Sequence, residues 1–407
     1  MNLEEKQMLE AIDRNRERIH RIGKKIWEFK EVGWEEFHSS ALLMDELEKE
    51  GFEVQRGLLG RHPKFDREIE MPTAFKAILK GKEGGPTIGI ILEYDALPNG
   101  HACGHNLIAS AGFAAALGLK EVFQSTGTVV VYGTPAEELE GSKHYILEGG
   151  YMDEVDIMLA SHYGSDWGSE VTGKAIVWPT HDNWLTFKGR SSHASSSPEK
   201  GRSALDAVIL TTVGLEFLRE HMPETNRIHY IISKGGTAAN SVPDLATLNV
   251  ELRTNDSAEL NALMKRVDNV IKGAELMTDT TAVYQWDAPW YCATPVPFLY
   301  RLAAQYAPDL GIDESRFSFG ALPKASSDLG CVAYKIPSVE ITFPIVKEDE
   351  PAPVGHADET AAITGNDFPV DQSILAGKLM ALTGFRIGTN PVELNKIKAE
   401  FKKNYKE

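Results

Sequence analysis

Unbroken apolar runs that alternate with helical segments constrain the fold of this chain most. The runs lie within PTIGIILEYD (86–95), GTVVVYGTPAEE (127–138) and VDIMLASHYG (155–164). Continuous apolar character over so short a length indicates strands that are buried on both faces. Helical segments are predicted between them at 107–120 and at about 140–149. This alternation predicts an α/β fold, with a mixed, mostly parallel sheet sandwiched by helices.

The pattern changes near residue 180. From HDNWLTFKG (181–189) onwards, strand-like and helix-like segments follow one another in the order β-α-β-β-α-β, which is typical of a small ferredoxin-like α+β unit. The α/β pattern then resumes. We therefore predict one α/β domain made of 1–179 and 293–407, interrupted by an inserted domain at 180–292.

Composition excludes several classes of partner. The chain has 407 residues, and 42 basic against 59 acidic side chains give a net charge of −17, so we expect no nucleic-acid partner. No apolar segment approaches the ~18 residues that span a bilayer, and we expect no membrane partner. The chain has three cysteines, and so small and odd a number does not indicate a disulfide framework. The N-terminus shows no pattern of a secretory signal. A cytoplasmic location is the expectation.

Polar residues follow three of the predicted strands. Asp95 ends the first apolar run, Glu137 and Glu138 end the second, and His162 lies at the end of the third. The carboxyl ends of parallel strands share one edge of a sheet, and ligands bind there in open α/β folds. We therefore expect these four side chains to lie close together.

The segment GHACGHN (100–106) follows the first apolar run and adds Cys103 and His105. Together with Glu138 and His162 they make a donor set of mixed softness, which favours Zn, Mn, Ni, Co or Fe over Mg or Ca. An alternative interpretation makes Cys103 a nucleophile, with His105 or a distant histidine as its base. That chemistry also needs a third group that orients the base.

The adjacent carboxylates Glu137 and Glu138 suit hydrolysis at a metal site. One carboxylate can hold the ion, while the other takes a proton from water whose pKa the metal lowers from 15.7 toward ~7. The alternative is an acidic helix N-terminus favoured by the helix dipole, because the segment from Leu139 to Gly149 looks helical.

These motifs resemble peptidase family M20, specifically its amidohydrolase branch of aminoacylase, hippurate-hydrolase and aminobenzoyl-glutamate-hydrolase-like enzymes. The matching elements, in chain order, are Asp95-Ala96-Leu97-Pro98, His101 to His105, Glu137-Glu138, His162, the stretch GRSSHASSSPEKGRSALDA with His193, Asn240, Arg253, ASSDLG at 325–330 and Gly355-His356. The resemblance covers nearly the whole chain. It implies a zinc-exopeptidase-like domain with an inserted lid and dimerisation domain.

The resemblance also implies a role for each matching residue. Two divalent ions would be held by Cys103, His105, Glu138, His162 and His356. Glu137 would be the general base, and Asp95 would orient His105. His193 and Asn240 would stabilise the oxyanion, with His193 often coming from the second protomer of a dimer. Arg253 would bind the substrate carboxylate; its alternative is a strand arginine paired with a neighbouring acid.

The expected function is metal-dependent hydrolysis of the amide bond in N-acyl amino acids, dipeptides or aryl-amide amino acid conjugates, by a homodimer or higher oligomer. Glu93 stands where other branches of the family have a ligand histidine, which leaves the identity of the metals open. Two other functions remain as alternatives: a catalytically silent metal-binding protein of the same fold, and a hydrolase with a cysteine nucleophile.

Overall fold

The computed structural model describes residues 1–171, 173–180, 184–317, 319 and 325–405. The first three residues of the predicted strand segment 181–189 therefore lie outside the described residues. The chain divides into two compact units. Their ranges are Met1–Thr172, Ala293–Ala321 and Ser327–Glu407 for the first unit, and Gly173–Cys292 and Leu322–Ser326 for the second.

The described part of the chain contains eleven strands and twelve α-helices. The strands are β1 (Glu53–Arg61), β2 (Glu68–Leu79), β3 (Thr87–Leu92), β4 (Thr128–Gly133), β5 (Ile157–Gly164), β6 (Ala175–Val177), β7 (Leu185–Lys188), β8 (Arg227–Lys234), β9 (Leu245–Thr254), β10 (Thr281–Val283) and β11 (Ser338–Pro344). The helices are α1 (Leu3–Arg14), α2 (Arg16–Phe29), α3 (Phe37–Lys49), α4 (His105–Val122), α5 (Lys143–Glu148), α6 (Ala204–Arg219), α7 (Ser257–Thr278), α8 (Pro297–Tyr306), α9 (Leu329–Lys335), α10 (Asp358–Ile363), α11 (Asp367–Gly388) and α12 (Pro391–Asn404).

The first unit is built on a six-stranded sheet in the order β1-β2-β4-β3-β5-β11. Strands β4, β3, β5 and β11 run parallel, while β2 joins β4 antiparallel and carries β1 as a hairpin. Ile88 of β3 lies opposite both Val129 and Ile157, so β3 occupies the middle of the parallel part. The three predicted apolar runs are thus three neighbouring strands.

Helices cover both faces of this sheet. Along β3, Ile90 packs in a cluster with Phe113 of α4 and Leu379 of α11, whereas the next residue, Ile91, joins a cluster on the other face with Ile146 of α5. Side chains alternate between the faces of a strand, so an apolar residue is required at every position where both faces are buried. The prediction of a mostly parallel sheet sandwiched by helices is confirmed.

The second unit has the predicted β-α-β-β-α-β order, in β7, α6, β8, β9, α7 and β10. Its antiparallel sheet runs β10-β7-β9, with β8 on the opposite side of β9 and the short β6 as an additional partner of β9. Alternate residues of β9, such as Leu248 and Val250, are buried against α6 and α7. Within the described residues, the outer edge of β8 pairs with no strand.

The helix that follows GHACGHN is apolar because it is enclosed by protein. Fifteen consecutive residues of α4, from His105 to Leu119, are buried. Its glycines allow close packing: a Cβ atom at Gly112 would lie 2.7 Å from Leu92 Cδ1. No helix in the described part of the chain has both the length and the apolar character that crossing a membrane requires.

Candidate metal centre

The parallel strands deliver the predicted residues to one edge of the sheet. Asp95 follows β3, Glu137 and Glu138 follow β4, and His162 lies near the end of β5. These three strands are adjacent, in the order β4-β3-β5, so their carboxyl ends are neighbours. Gly104, with a φ of 69°, then turns the chain into α4. That turn brings the segment with Cys103 and His105 to the same edge.

Three groups of side chains have ligand atoms that all lie within 4.8 Å of one another. The groups are Cys103, His105 and His162; Cys103, Glu138 and His356; and His105, Glu137 and Glu138. Cys103 belongs to the first two groups, and Glu138 belongs to the last two. Shared donors of this kind suit two neighbouring ions better than a single one. The structure therefore brings together every metal ligand that the sequence analysis proposed.

Asp95 fixes the orientation of His105. Its Oδ1 lies 2.8 Å from His105 Nδ1, and both side chains are fully buried. Burial raises the pKa of a carboxyl group, but the charge of His105 and its hydrogen bond hold the pKa of Asp95 below its ordinary value. With Nδ1–H donating to Asp95, the lone pair of His105 Nε2 faces the ligand groups.

Two buried atoms at this edge, His105 Nε2 and Glu138 Oε1, have no hydrogen-bond partner among the described residues. They lie 4.0 Å apart. A buried polar atom without a partner costs free energy, and such an atom calls for an explanation. Both atoms belong to the ligand groups, and a bound cation would satisfy both. The donor chemistry and these two atoms show that the residues present fit divalent metal ions.

Cys103 and His162 face each other across the site. The thiol Sγ lies 3.5 Å from His162 Nε2, and His162 Nδ1 donates to the Tyr163 carbonyl oxygen at 2.8 Å. Burial raises the pKa of the Cys103 thiol. Because Nδ1 holds the proton, Nε2 presents a lone pair toward the thiol. The arrangement suits a metal ligand pair, and it also supplies the distant histidine that a cysteine nucleophile requires.

His356 is the exposed member of the ligand groups. Its side chain is 59% exposed, yet Nε2 lies 3.5 Å from Glu138 Oε1. The residue adopts a left-handed φ of 65°, and its backbone N–H donates to the Ala102 carbonyl oxygen at 3.2 Å. Asn99 also binds the His356 carbonyl oxygen. These backbone contacts attach the loop to the GHACGHN segment.

Glu137 and Glu138 lie in an irregular turn, so their interpretation as a helix N-terminus was wrong. Helix α5 begins only at Lys143, and Ala136 has a left-handed φ of 57°. The amide of Glu138 donates to Asp95 Oδ2 at 3.0 Å. Glu137 Oε2 lies 3.9 Å from His105 Nε2. Burial and the neighbouring Glu93 carboxylate raise the pKa of Glu137 well above its ordinary value.

Known proteins share this architecture. A family model described as a peptidase dimerisation domain of M20 enzymes matches residues 181–276. The Xaa-Arg dipeptidase of Mus musculus is 30% identical over 417 residues, which cover 99% of this chain and 93% of the mouse protein. One subunit of the p-aminobenzoyl-glutamate hydrolase of Escherichia coli (strain K12) is 35% identical over 310 residues, covering 71% of this chain and 61% of its own length.

A solved structure agrees with these matches. It is a dinuclear metal-binding peptidase of the M20 family from Bacillus subtilis, with a TM-score of 0.62 and 19% identity, covering 91% of this chain and 98% of that one. The chain belongs to peptidase family M20. The prediction of a hydrolase acting on amide or peptide bonds is confirmed by this membership and by its named relatives.

A buried ionic cluster beside the candidate ligands of this M20 protein was missed by the sequence analysis. Lys143 Nζ lies 2.8 Å from Glu93 Oε1 and 2.5 Å from Asp328 Oδ1, and the lysine side chain is fully buried. The other oxygen of Glu93 lies 3.5 Å from His105 Nε2. Asp328 falls in the recognised ASSDLG element, but nothing in the local sequence distinguishes Lys143 from a surface lysine.

The second unit of this M20 protein holds the remaining predicted residues. His193 is exposed, and its Nδ1 accepts hydrogen bonds from the amides of Ser195 and Ser196 at 3.3 and 3.2 Å. The proton of the neutral ring is therefore on Nε2, where it can be donated to an oxyanion. The Asn240 carbonyl oxygen accepts from the Ala194 amide at 2.9 Å, so Asn240 lies beside His193.

Arg253 lies apart from this pair. Asn240 precedes the start of β9 at Leu245, whereas Arg253 is near its end, and the part of β9 from Leu245 to Arg253 spans about 27 Å at 3.4 Å per residue. Its guanidinium Nε donates to Glu251 Oε1 at 2.6 Å, which is the pairing with a neighbouring acid that the sequence analysis gave as an alternative. His193 and Arg253 of the same chain therefore do not lie close together in the second unit.

Proposed function

We propose that this M20 protein is a metal-dependent amidohydrolase that cleaves the amide bond of N-acyl amino acids, dipeptides or aryl-amide conjugates of amino acids. The observation that carries the proposal is the convergence of thiol, imidazole and carboxylate groups at one edge of the sheet. Two buried atoms of this set, His105 Nε2 and Glu138 Oε1, have no hydrogen-bond partner among the described residues. The names of relatives that act on a dipeptide, on aminobenzoyl-glutamate and on indole-3-acetyl-aspartic acid support this substrate class.

The residues that would hold two divalent ions are Cys103, His105, Glu138, His162 and His356. When bound, such ions supply Lewis acidity, which polarises a carbonyl group and lowers the pKa of water from 15.7 toward ~7. Borderline ions such as Zn, Mn, Ni and Co suit this mixture of donors. Asp95 keeps the proton of His105 on Nδ1 and leaves Nε2 free to act as a ligand.

In this proposal Glu137 moves the protons. It takes one from the attacking water and delivers it to the nitrogen of the leaving amine, a role that typically contributes 10²–10⁴ in rate. Glu137 is placed for this because it lies beside the ligand atoms, with its side chain 12% exposed. Its neighbour Glu138 would be the ligand instead, because its Oε1 lies near both His105 and His356.

We further propose a homodimer that forms through the second unit. Strand β8, whose outer edge pairs with no strand among the described residues, carries the exposed side chains Ile231 and Ile232, and α6 exposes Ile209, Val213 and Phe217. An open edge strand with apolar side chains is a template for pairing with another chain. In the dimer, His193 and Asn240 would stabilise the oxyanion at the partner's site, while Arg253 would bind the substrate carboxylate through its planar fork.

Chelation tests the central proposal. Purified protein should contain bound transition metal by mass spectrometry, and it should hydrolyse members of a panel of N-acyl amino acids and dipeptides. Removing the metal should abolish hydrolysis, and adding back Mn, Zn, Co or Ni should restore it. Full activity in the metal-free protein would overturn the proposal. That result would favour the Cys103 nucleophile paired with His162, since a thiol-based hydrolase needs no ion.

One variant and its matched control test the role of Glu137. Glu137→Gln should retain metal and lose most of its turnover, because the amide cannot accept the proton. The matched control is Glu140→Gln, which changes an exposed carboxylate in the same turn and should leave kcat unchanged. A normal kcat in Glu137→Gln would remove Glu137 as the base. Metal bound without hydrolysis of any substrate would support the catalytically silent alternative.

A further inference from the structure

Glu36 is a fully buried carboxylate that reaches the turn carrying the proposed catalytic residue. It stands immediately before α3 and is 0% exposed. Its Oε1 accepts a hydrogen bond from the Ala136 amide at 2.8 Å, and its Oε2 accepts one from Thr73 Oγ1 at 3.0 Å. Thr73 lies on β2, and its carbonyl oxygen is in turn bound by the Tyr94 hydroxyl at 2.6 Å.

The turn that Glu36 contacts has an unusual backbone. Ala136 has a φ of 57°, a left-handed conformation that non-glycine residues rarely adopt and that persists only where the surrounding structure holds it. Its carbonyl oxygen accepts from the Gly141 amide at 2.8 Å. Gly33 packs so closely that a Cβ atom there would lie 2.9 Å from Ala136 Cα. Glu36 therefore supplies the partner for the one backbone donor of this strained residue.

Two buried carboxylates hold the amides on either side of Glu137. Glu36 accepts from the amide of Ala136, and Asp95 accepts from the amide of Glu138 at 3.0 Å. The direction of the Glu137 side chain follows from the backbone between these two fixed points. We infer that Glu36 is a positioning residue, which sets the placement of Glu137 through the Ala136 amide. This inference rests on the proposed function, in which Glu137 transfers the proton.

The chemistry of Glu36 suggests a matched pair of variants. Glutamine keeps an oxygen that can accept from the Ala136 amide, and its NH₂ group can donate to Thr73 Oγ1, since a hydroxyl also accepts. Leucine has a similar size and is equally uncharged, but it leaves the Ala136 amide without a partner. Thr73→Val is the control for the rest of the network, because it removes one contact of Glu36 and spares the contact to Ala136.

The test measures kcat, KM and bound metal for each variant. Glu36→Leu should lose about 10²-fold in kcat, the cost of a displacement near 1 Å in a catalytic group. Its KM and metal content should stay close to those of the wild type, because the ligands and the second unit are untouched. Glu36→Gln should recover most of the lost kcat, and Thr73→Val should resemble the wild type. Equal kcat in Glu36→Leu and Glu36→Gln would overturn the inference.

A replacement variant and a double-mutant cycle keep the inference testable if Glu36→Leu does not fold. If Glu36→Leu does not fold, Glu36→Asp replaces it, since the shorter side chain keeps the carboxyl group and withdraws the acceptor by one methylene. A double-mutant cycle with Glu137→Gln should show that the Glu36 change costs no further activity once the base is absent. Additive losses would contradict a role through Glu137. A wild-type protein that hydrolyses no amide would instead refute the proposed function.

Discussion

Replacing Asp95 with asparagine should weaken metal binding while leaving the fold intact. Both oxygens of Asp95 accept hydrogen bonds from fixed donors, Oδ1 from His105 Nδ1 at 2.8 Å and Oδ2 from the Glu138 amide at 3.0 Å. An asparagine offers one oxygen and one NH₂ group to the same two donors. One of the two hydrogen bonds must therefore be lost or inverted.

The size of the effect follows from which bond is lost. The backbone amide of Glu138 cannot change its role, so the asparagine oxygen turns toward it and the NH₂ group faces His105 Nδ1. The imidazole proton must then move to Nε2, the atom that faces the ligand groups, or the site loses a hydrogen bond to a charged group worth about 1.5–3 kcal/mol. Changes of this kind usually reduce metal affinity by about 10- to 100-fold, or roughly 1.4–2.7 kcal/mol.

The assay is competition between the protein and a chromophoric chelator, at fixed pH, for Zn and Mn in turn. Asp268→Asn is the matched control. Asp268 is also a carboxylate with two donors, the Tyr284 hydroxyl at 2.7 Å and the Trp286 indole at 2.8 Å, but both donate to its Oδ1, and it lies on α7 in the second unit. An asparagine there keeps one oxygen for both donors, so that variant should keep the fold and the wild-type affinity for metal.

The predicted role of Asp95 in orienting a ligand fails if Asp95→Asn binds both metals as tightly as the wild type does. It also fails if Asp268→Asn weakens binding as much as Asp95→Asn, because the loss would then reflect general destabilisation. A lower affinity for metal together with a normal kcat at saturating metal would separate the two roles of Asp95. The turn that holds Glu137 would then be intact, because the asparagine oxygen still accepts from the Glu138 amide.

Two other predictions concern stability. Lys143→Met leaves Glu93 and Asp328 buried without their cation, so the free energy of unfolding should fall by about 3–5 kcal/mol in urea titrations at neutral pH; an unchanged midpoint would contradict this. Burial and the nearby Asp95 charge raise the pKa of Glu36 from 4.5 to about 7, so the folded state favours its neutral form. Its contribution to stability should be full below pH 4.5 and lost as the pH rises through 7. The difference in unfolding free energy between metal-free wild type and Glu36→Gln should therefore change by about 3 kcal/mol across that interval, and a constant difference would refute the assignment.

The central strands were predictable because strands that are buried on both faces have apolar residues at consecutive positions. Each position of β3 from Ile88 to Leu92 is buried, so the sequence shows an apolar run that no surface strand would need. The predicted helix at 140–149 was less accurate, since α5 covers only Lys143–Glu148. The residues before it form a turn whose amides bind Glu36 and Asp95. Neither partner is close in sequence, so local propensity carries no sign of this turn.

The residues of the candidate site that lie at strand ends could be predicted from the strand pattern of the sequence, whereas the others could not be predicted in this way. Residues that follow β3 and β4, or end β5, were placed by topology alone, whereas His356 follows an irregular loop and was found only through the family resemblance. The buried cluster around Lys143 could not be predicted from the sequence, for a different reason. A lysine becomes a buried cation only when Glu93 and Asp328, distant in sequence, meet it in the folded chain.

The loop position of His356 also has a consequence for the order in which the chain folds. Four of the candidate ligands, Cys103, His105, Glu138 and His162, are synthesised before the second unit begins, and His356 follows only after that unit is complete. Contacts between distant parts of a chain form late, because the intervening segment must first be ordered. We therefore expect the donor set to be completed late in folding. A chain truncated before this loop lacks His356 and also α11, which packs on the central strands, so it cannot hold a metal pair with the full set of ligands.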